Sequence, residues 1–301
     1  MSLPVETPRQ SARSAHAAGR LRADGAHSFR DARPRHTAAT SRRQLFGFLL
    51  AFTSACGWQE PKQAEKEKLL IFAASSLADA FVDAKTSFEV AHENCQVVFN
   101  FGGSQELRTQ IEQGAVADLF AAADETHMQR LVRQNLVSNA QVFAHNEPVL
   151  VVSGEETAVT GFADLPHASR IVIGVPEVPI GRYTRRILDN AEAEWGHDFR
   201  KRVESKVISH EFNVRQILAK LNLGEASAVF VYQSDVGALP RGMRVIPIPS
   251  RFNVTAHYFM ARTRNASHSL FAAAWVDWIL TGGGRKSLST YGFRPADGSG
   301  G

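Results

Sequence analysis

Ser76 and Ser104 are the residues whose type and placement could do chemistry. Each closes a run of apolar and small residues, in LLIFAASSLADAF (69–81) and VVFNFGGSQEL (97–107), and each is followed by an amphipathic helical pattern. A serine where a strand hands over to a helix stands beside backbone N–H groups that lack partners, at the positive end of the helix dipole. Two such junctions about 30 residues apart, one strand–helix unit on, could aim both helix starts at a shared point. The chemistry on offer is capture of an anion without a charged side chain. Taken singly, each serine reads first as an ordinary helix cap.

Other chemistries find less support. Neither serine lies in Gly-x-Ser-x-Gly, and neither has a His/Asp partnership visible in the sequence. The eleven histidines are scattered, with no His-Glu-x-x-His and no paired cysteines at metal-ligand spacing. Gly102-Gly103-Ser104 is too short for a phosphate-cradling loop and lacks its lysine. No catalytic residue, enzyme activity or cofactor is therefore expected. Arg182, Arg185 and Arg186 are spaced as a solvated helix face.

The chain has 301 residues, 44% hydrophobic and 21% charged, enough for one large domain or two moderate lobes. Its net charge of +4 is unevenly placed: residues 1–56 carry +6 and the remainder −2. The basicity belongs to the leader, so no nucleic-acid partner is implied. Residues 41–46 (SRRQLF) precede an apolar stretch (45–55) too short to span a bilayer, a pattern resembling a twin-arginine export signal. Residues 53–56 (TSAC) resemble a lipoprotein cleavage box, in which Cys56 becomes the lipidated first residue. A plain signal peptide cleaved near Ala55, with Cys56 incidental, is the other reading. Cys95 is then the single internal cysteine, expected as a small buried residue outside any disulfide framework.

These junctions must be held by a larger frame. Residues 57–68 are polar and charge-rich and read as a linker. Leu77, Phe81, Ala84 and Phe88 fall at helical spacing, as do Leu107 and Ile111 before the stop at Gly114. Short strands are expected at 119–123, 149–152, 171–175, 206–209, 228–232, 245–249 and 257–261. Asp124 and Asn213 cap helices, and 270–280 is a helix with Trp275 and Trp278 on it. Such alternation argues for α/β architecture with parallel sheets covered by helices. The order suggests two lobes, 69–147 plus 249–295 and an inserted 148–248, with a frayed tail at 296–301. Ligands in such folds bind at the carboxyl ends of strands, here in the cleft between lobes.

FAASSLADAF, GGSQELRTQIEQGAVADLFAAAD, PEVPIGRYTRRIL, NVRQILAKL and AVFVYQSDV follow one another in the order seen in periplasmic molybdate-binding proteins of ABC transporters, which the chain resembles over roughly 69–294. The resemblance implies the type II periplasmic-binding-protein fold, with two lobes, mixed sheets flanked by helices, and a ligand cleft between them. It implies a monomeric extracytoplasmic or periplasmic protein, with or without a lipid anchor at Cys56, that hands molybdate or tungstate to a membrane permease. Molybdenum enters only as the bound oxyanion. Five residues are implied to hold it: the Ser76 and Ser104 hydroxyls, the Ile180 and Val214 backbone N–H groups, and the Tyr232 hydroxyl. The loop before Ile180 departs from the family, which commonly has one more residue between Pro-Glu and Val-Pro and an alanine where Ile180 stands. Ser75 leaves a one-residue alternative to Ser76. Sulfate or another oxyanion as ligand, and oxyanion sensing in place of transport, are the alternatives within the same fold.

Overall fold

Leu69 through Ala74 bury side chains on both faces of the chain, a pattern that suits only a strand inside a covered sheet. The computed structural model describes residues 65–296, which fall within one compact unit. The expected leader with Cys56, positions 57–64 of the linker and positions 297–301 of the tail lie outside the described residues. In chain order the first elements are β1 (Glu67–Ala74), a 3-10 turn (Ser75–Leu77), α1 (Ala78–Ala91), β2 (Cys95–Gly102), α2 (Ser104–Glu112), β3 (Leu119–Ala122), α3 (Glu125–Arg133) and β4 (Val137–Asn146). The chain continues with β5 (Pro148–Val152), β6 (Ile171–Gly174), α4 (Pro179–Trp195), α5 (Asp198–Glu204), β7 (Val207–Glu211), α6 (Val214–Asn222), β8 (Ala228–Tyr232) and β9 (Arg244–Ile246). It closes with β10 (Ala256–Thr263), α7 (Ser269–Thr281), α8 (Gly283–Thr290) and β11 (Arg294–Pro295).

Two sheets organise these elements. One runs β11-β4-β10-β3-β1-β2 and the other β7-β6-β8-β5-β9. Each carries helices, giving two α/β lobes. Neither sheet is wholly parallel, which corrects the expectation drawn from alternation alone. β1 pairs parallel with β2 and β3, but β10 runs antiparallel to β3 and β4, and β5 antiparallel to β8 and β9. The reason is connectivity: β4 passes into β5 through Glu147 alone, so the chain crosses between sheets without a helical crossover.

The cores are apolar and aromatic. Phe81 and Phe88 of α1 meet the fully buried Trp275 of α7 edge-on, with ring centroids 5.6 and 5.1 Å apart. Cys95 is buried beneath them as expected, its thiol pushed up to about 11 by burial first and the nearby Glu89 second. In the other lobe Phe162, Trp195, Phe199 and Phe252 form a second aromatic cluster. Phe252 lies beyond the expected crossing at 249, and Asn190 donates to its carbonyl at 2.9 Å. The returning segment therefore stays on the second lobe until β10 begins at Ala256. β1 likewise starts at Glu67, inside the stretch read as linker, and Ala296 is tied down by its N–H bond to the Phe143 carbonyl (3.0 Å) instead of fraying. No helix among the described residues is long and apolar enough to cross a membrane. Among them, no cluster of His, Cys, Asp or Glu is placed to hold a metal ion.

Candidate functional site

Four helical starts converge on one small cavity. The first lobe contributes the turn at Ser75 and the start of α2; the second contributes the starts of α4 and α6. Ala123 after β3 and Tyr232 at the end of β8 complete the wall. The residues alone gave two junctions in the first lobe, and the resemblance implied donors at Ile180 and Val214; the geometry brings the starts of α4 and α6, which carry those two residues, to the same cavity.

Local chemistry explains why each start presents free donors. Glu106 accepts the Gly103 N–H at 3.0 Å, while Ser104, the first residue of α2, has an N–H with no intrahelical acceptor. Pro179 is the first residue of α4 and has no N–H, so the first donor of that helix belongs to Ile180. Gly181 lets α4 approach β6, since a Cβ there would lie 2.1 Å from the Val175 carbonyl oxygen. The Asn213 side chain caps α6 by accepting the Gln216 N–H at 3.1 Å, and the Val214 N–H is left at the cavity wall. All five residues expected from the sequence line this one cavity.

The hydroxyls have defined surroundings. Ser104 Oγ accepts the Ala123 N–H at 3.1 Å, so its own hydrogen is free to point elsewhere. Ser76 Oγ lies 2.8 Å from the Tyr258 hydroxyl. Ser75 also lines the cavity, but its carbonyl is engaged by Arg215 at 3.3 Å. Tyr232 is only 2% exposed, and its hydroxyl has no hydrogen-bond partner among the described residues. Burial, then the neighbouring Tyr258 and Tyr183, hold its pKa well above that of an ordinary tyrosine, so it remains a donor. Behind it Asp235 accepts the Tyr232 N–H at 2.9 Å, and burial pushes that carboxyl up to about 7.

Among the described residues, no Lys, Arg, Asp or Glu side chain lines the cavity. The arginines read as a solvated face do something else in part. Arg182 is ion-paired with Asp124 and Arg185 donates to the Gly174 and Gly181 carbonyls at 2.9 Å, whereas Arg186 is exposed as expected. Wider grooves open at the cleft mouth, where acids mix with bases, and beside α1, where the charged lining residues Asp79 and Asp83 are both acidic.

The lobes meet around the cavity through side chains that grip the opposite backbone. Gln105 donates to the Phe212 carbonyl at 2.8 Å and Tyr183 to that of Ala123 at 3.2 Å. His127, its pKa lowered chiefly by burial, is neutral and donates its Nε2–H to the Glu177 carbonyl at 2.9 Å. Arg215, the residue after Val214, pairs with Asp79 at 2.6 Å. Sequence reasoning missed Tyr258, Ala123, Asp235 and these grips. Only Tyr258 carried any signal, as an aromatic in an expected strand.

The sequence profile of the bacterial extracellular solute-binding protein family matches residues 69–294. The molybdate-binding protein of Mycobacterium tuberculosis strain H37Rv is 31% identical over 254 residues, which span 81% of this chain and 94% of that protein. That of Escherichia coli K12 is 29% identical over 241 residues, 76% of this chain and 90% of that protein. Among solved structures, the periplasmic molybdate-binding protein of Azotobacter vinelandii superposes with a TM-score of 0.66 at 16% identity, covering 76% of this chain and all of that one.

Proposed function

We propose, on the premise that this chain belongs to the bacterial extracellular solute-binding protein family, that it captures molybdate between its lobes for an ABC importer. The observation that carries this reading is the Tyr232 hydroxyl, buried, protonated and without an acceptor at the wall of a cavity built from helix starts. A buried hydroxyl left unpaired is destabilising by about 1–3 kcal/mol unless something supplies the missing bond. An oxyanion does so, and it recovers from fixed donors the hydrogen bonds it gives up on leaving water.

The donor set indicates which oxyanion. Ser76, Ser104 and Tyr232 contribute hydroxyls, and Ile180 and Val214 contribute N–H groups, with helix dipoles in place of formal charge. Such a set suits a tetrahedral dianion that carries no proton: molybdate, and with it tungstate or sulfate. Phosphate near neutral pH retains a proton that needs an acceptor. Molybdate is the reading preferred over sulfate because the relatives at 31% and 29% identity are molybdate-binding proteins. Neither serine touches a base. Their partners are a backbone N–H and a tyrosine hydroxyl, which speaks for binding over nucleophilic catalysis.

Closure follows from the same geometry. Ser76 and Ser104 bind from the first lobe, and Ile180, Val214 and Tyr232 from the second, so the anion completes its contacts only in the closed state. A permease in the membrane would read that closed shape. We take the lobes as 69–147 plus the returning strand and helices, and an inserted second lobe from 148. The protein would act as a monomer outside the cytoplasmic membrane, held to it by Cys56 where the cleavage box is used. No cofactor is invoked.

A thermal-shift panel of molybdate, tungstate, sulfate and phosphate tests the reading. At ligand about 100-fold above Kd the expected stabilisation is about 2.7 kcal/mol. Molybdate and tungstate should raise Tm and phosphate should not. A flat response to every oxyanion would contradict the assignment.

A further inference from the structure

We propose that Arg215 is a positioning residue that straps the start of α6 to the turn carrying Ser76, and thereby sets how long the closed lobes retain the anion. This rests on the oxyanion reading of the cavity. Arg215 directly follows Val214, which lines the cavity wall, yet its own side chain reaches across to the first lobe. There its Nε donates to the Ser75 carbonyl at 3.3 Å and its Nη2 to Asp79 Oδ2 at 2.6 Å. A guanidinium carries donors and no acceptor, so both bonds have one possible direction.

Both partners lie close to Ser76 in the chain. Ser75 precedes it in the 3-10 turn, and Asp79 stands in the first turn of α1, where the helix dipole favours a carboxylate. One planar fork therefore ties the second-lobe donor at Val214 to the first-lobe donor at Ser76. A lysine ammonium on its flexible stem does not reproduce that fixed two-point grip. The start of α4 repeats the arrangement. Arg182, two residues after Ile180, pairs with Asp124, which follows Ala123, the residue whose N–H bonds Ser104. In both places an arginine beside a cradle donor has its charge matched by a carboxylate of the opposite lobe. That charge is then directed to holding the lobes together, and each pair forms only when they meet. The Arg215 and Asp79 side chains are 33% and 40% exposed, so the strap is a modest one.

Two substitutions separate a strap from a charge that attracts the anion. Asp79→Ala breaks the pair and leaves the Arg215 charge free beside the cradle; Arg215→Lys keeps the charge and loses the grip. Calorimetric titration of the full chain with molybdate gives the affinity, and stopped-flow fluorescence gives the rates. Each variant is expected to bind about twofold to fivefold more weakly, the range for a partly exposed pair. The loss should lie in faster dissociation, with association and the anion-free Tm nearly unchanged. An arginine that works by attraction predicts the opposite: tighter binding or faster association in Asp79→Ala, and wild-type behaviour in Arg215→Lys. Either result would overturn the proposal. If Asp79→Ala does not fold, Arg215→Lys decides by the same readings. Failure of the wild type to bind molybdate would instead remove the functional reading. The strap is then read from X-ray scattering without anion, where a larger radius of gyration in the variants supports it and identical profiles overturn it.

Discussion

A tyrosine hydroxyl buried without an acceptor makes the empty protein less stable and the loaded one more so, and this opposition gives a residue-scale test. Tyr232→Phe deletes a group that has no partner in the unliganded site. Its anion-free Tm should therefore be equal to or above wild type, while anion affinity falls by roughly tenfold to a hundredfold, the range for a hydrogen bond to a charged group. Ser104→Ala should differ in kind, because it also strips the acceptor from the buried Ala123 N–H and so lowers both stability and affinity. Equal effects of the two substitutions on Tm would count against the assigned surroundings. At this scale the sequence was informative for the residues proposed to hold the anion, since Ser76, Ser104 and Tyr232 sit in motifs with a fixed order and line one cavity. It singled out neither Tyr258 nor Asp235. The Ser76–Tyr258 bond joins residues 182 positions apart, and local patterning contains nothing about such a pairing.

Among the elements, the helix starts and the turn behind Tyr232 do the positioning. The carboxyl of Asp235 in that turn is pushed from 3.8 to about 7, first by burial, with Asp79 acting in the same direction and the Tyr232 N–H and Arg215 opposing. The folded protein thus holds a proton that the unfolded chain releases near pH 4. Stability from this group declines as pH rises through that window and levels off above about pH 7. Asp235→Asn keeps an acceptor for the Tyr232 N–H and removes the charge. Thermal melts should show it more stable than wild type at about pH 8, by an amount on the order of a few kcal/mol, with the difference vanishing toward pH 4. Gly181→Ala should weaken anion binding and stability together, because its Cβ would collide with the Val175 carbonyl and displace the start of α4.

Element boundaries were legible where capping chemistry marks them: Asp124, Asn213 and the positive-φ Gly114 stand where the sequence placed starts and a stop. β4 was not legible. Its sequence VSNAQVFAHN is polar and half-buried, it contains Asn139 in the left-handed region, and its pairing with β10 shifts register. Only tertiary pairing makes it a strand. The α5 helix escaped for a related reason, being short and held largely through Phe199 and Val203.

For the whole molecule, function depends on two lobes meeting around the cavity. Gly103 has an ordinary φ of −67° at the start of α2, so alanine is conformationally acceptable there. Its Cβ would nevertheless lie 2.5 Å from the Phe212 carbonyl of the opposite lobe. Gly103→Ala should therefore fold with little change in Tm yet prop the cleft open, with anion affinity reduced at least tenfold and a larger radius of gyration in X-ray scattering with ligand present. The two-lobed plan was visible in the strand–helix alternation and the repeated junctions. The mixed sheets and the late return at Ala256 were not visible there: the first follow from the one-residue passage from β4 to β5, the second from the aromatic cluster that Phe252 joins.

The central claim is that this closed cradle, made of donors alone, holds a tetrahedral anion that carries no proton. Calorimetric titration of the purified protein at neutral pH, with molybdate and then with phosphate, tests it most directly. Saturable one-to-one binding of molybdate with no heat of binding from phosphate is expected; tight binding of phosphate, or none of molybdate, would contradict it.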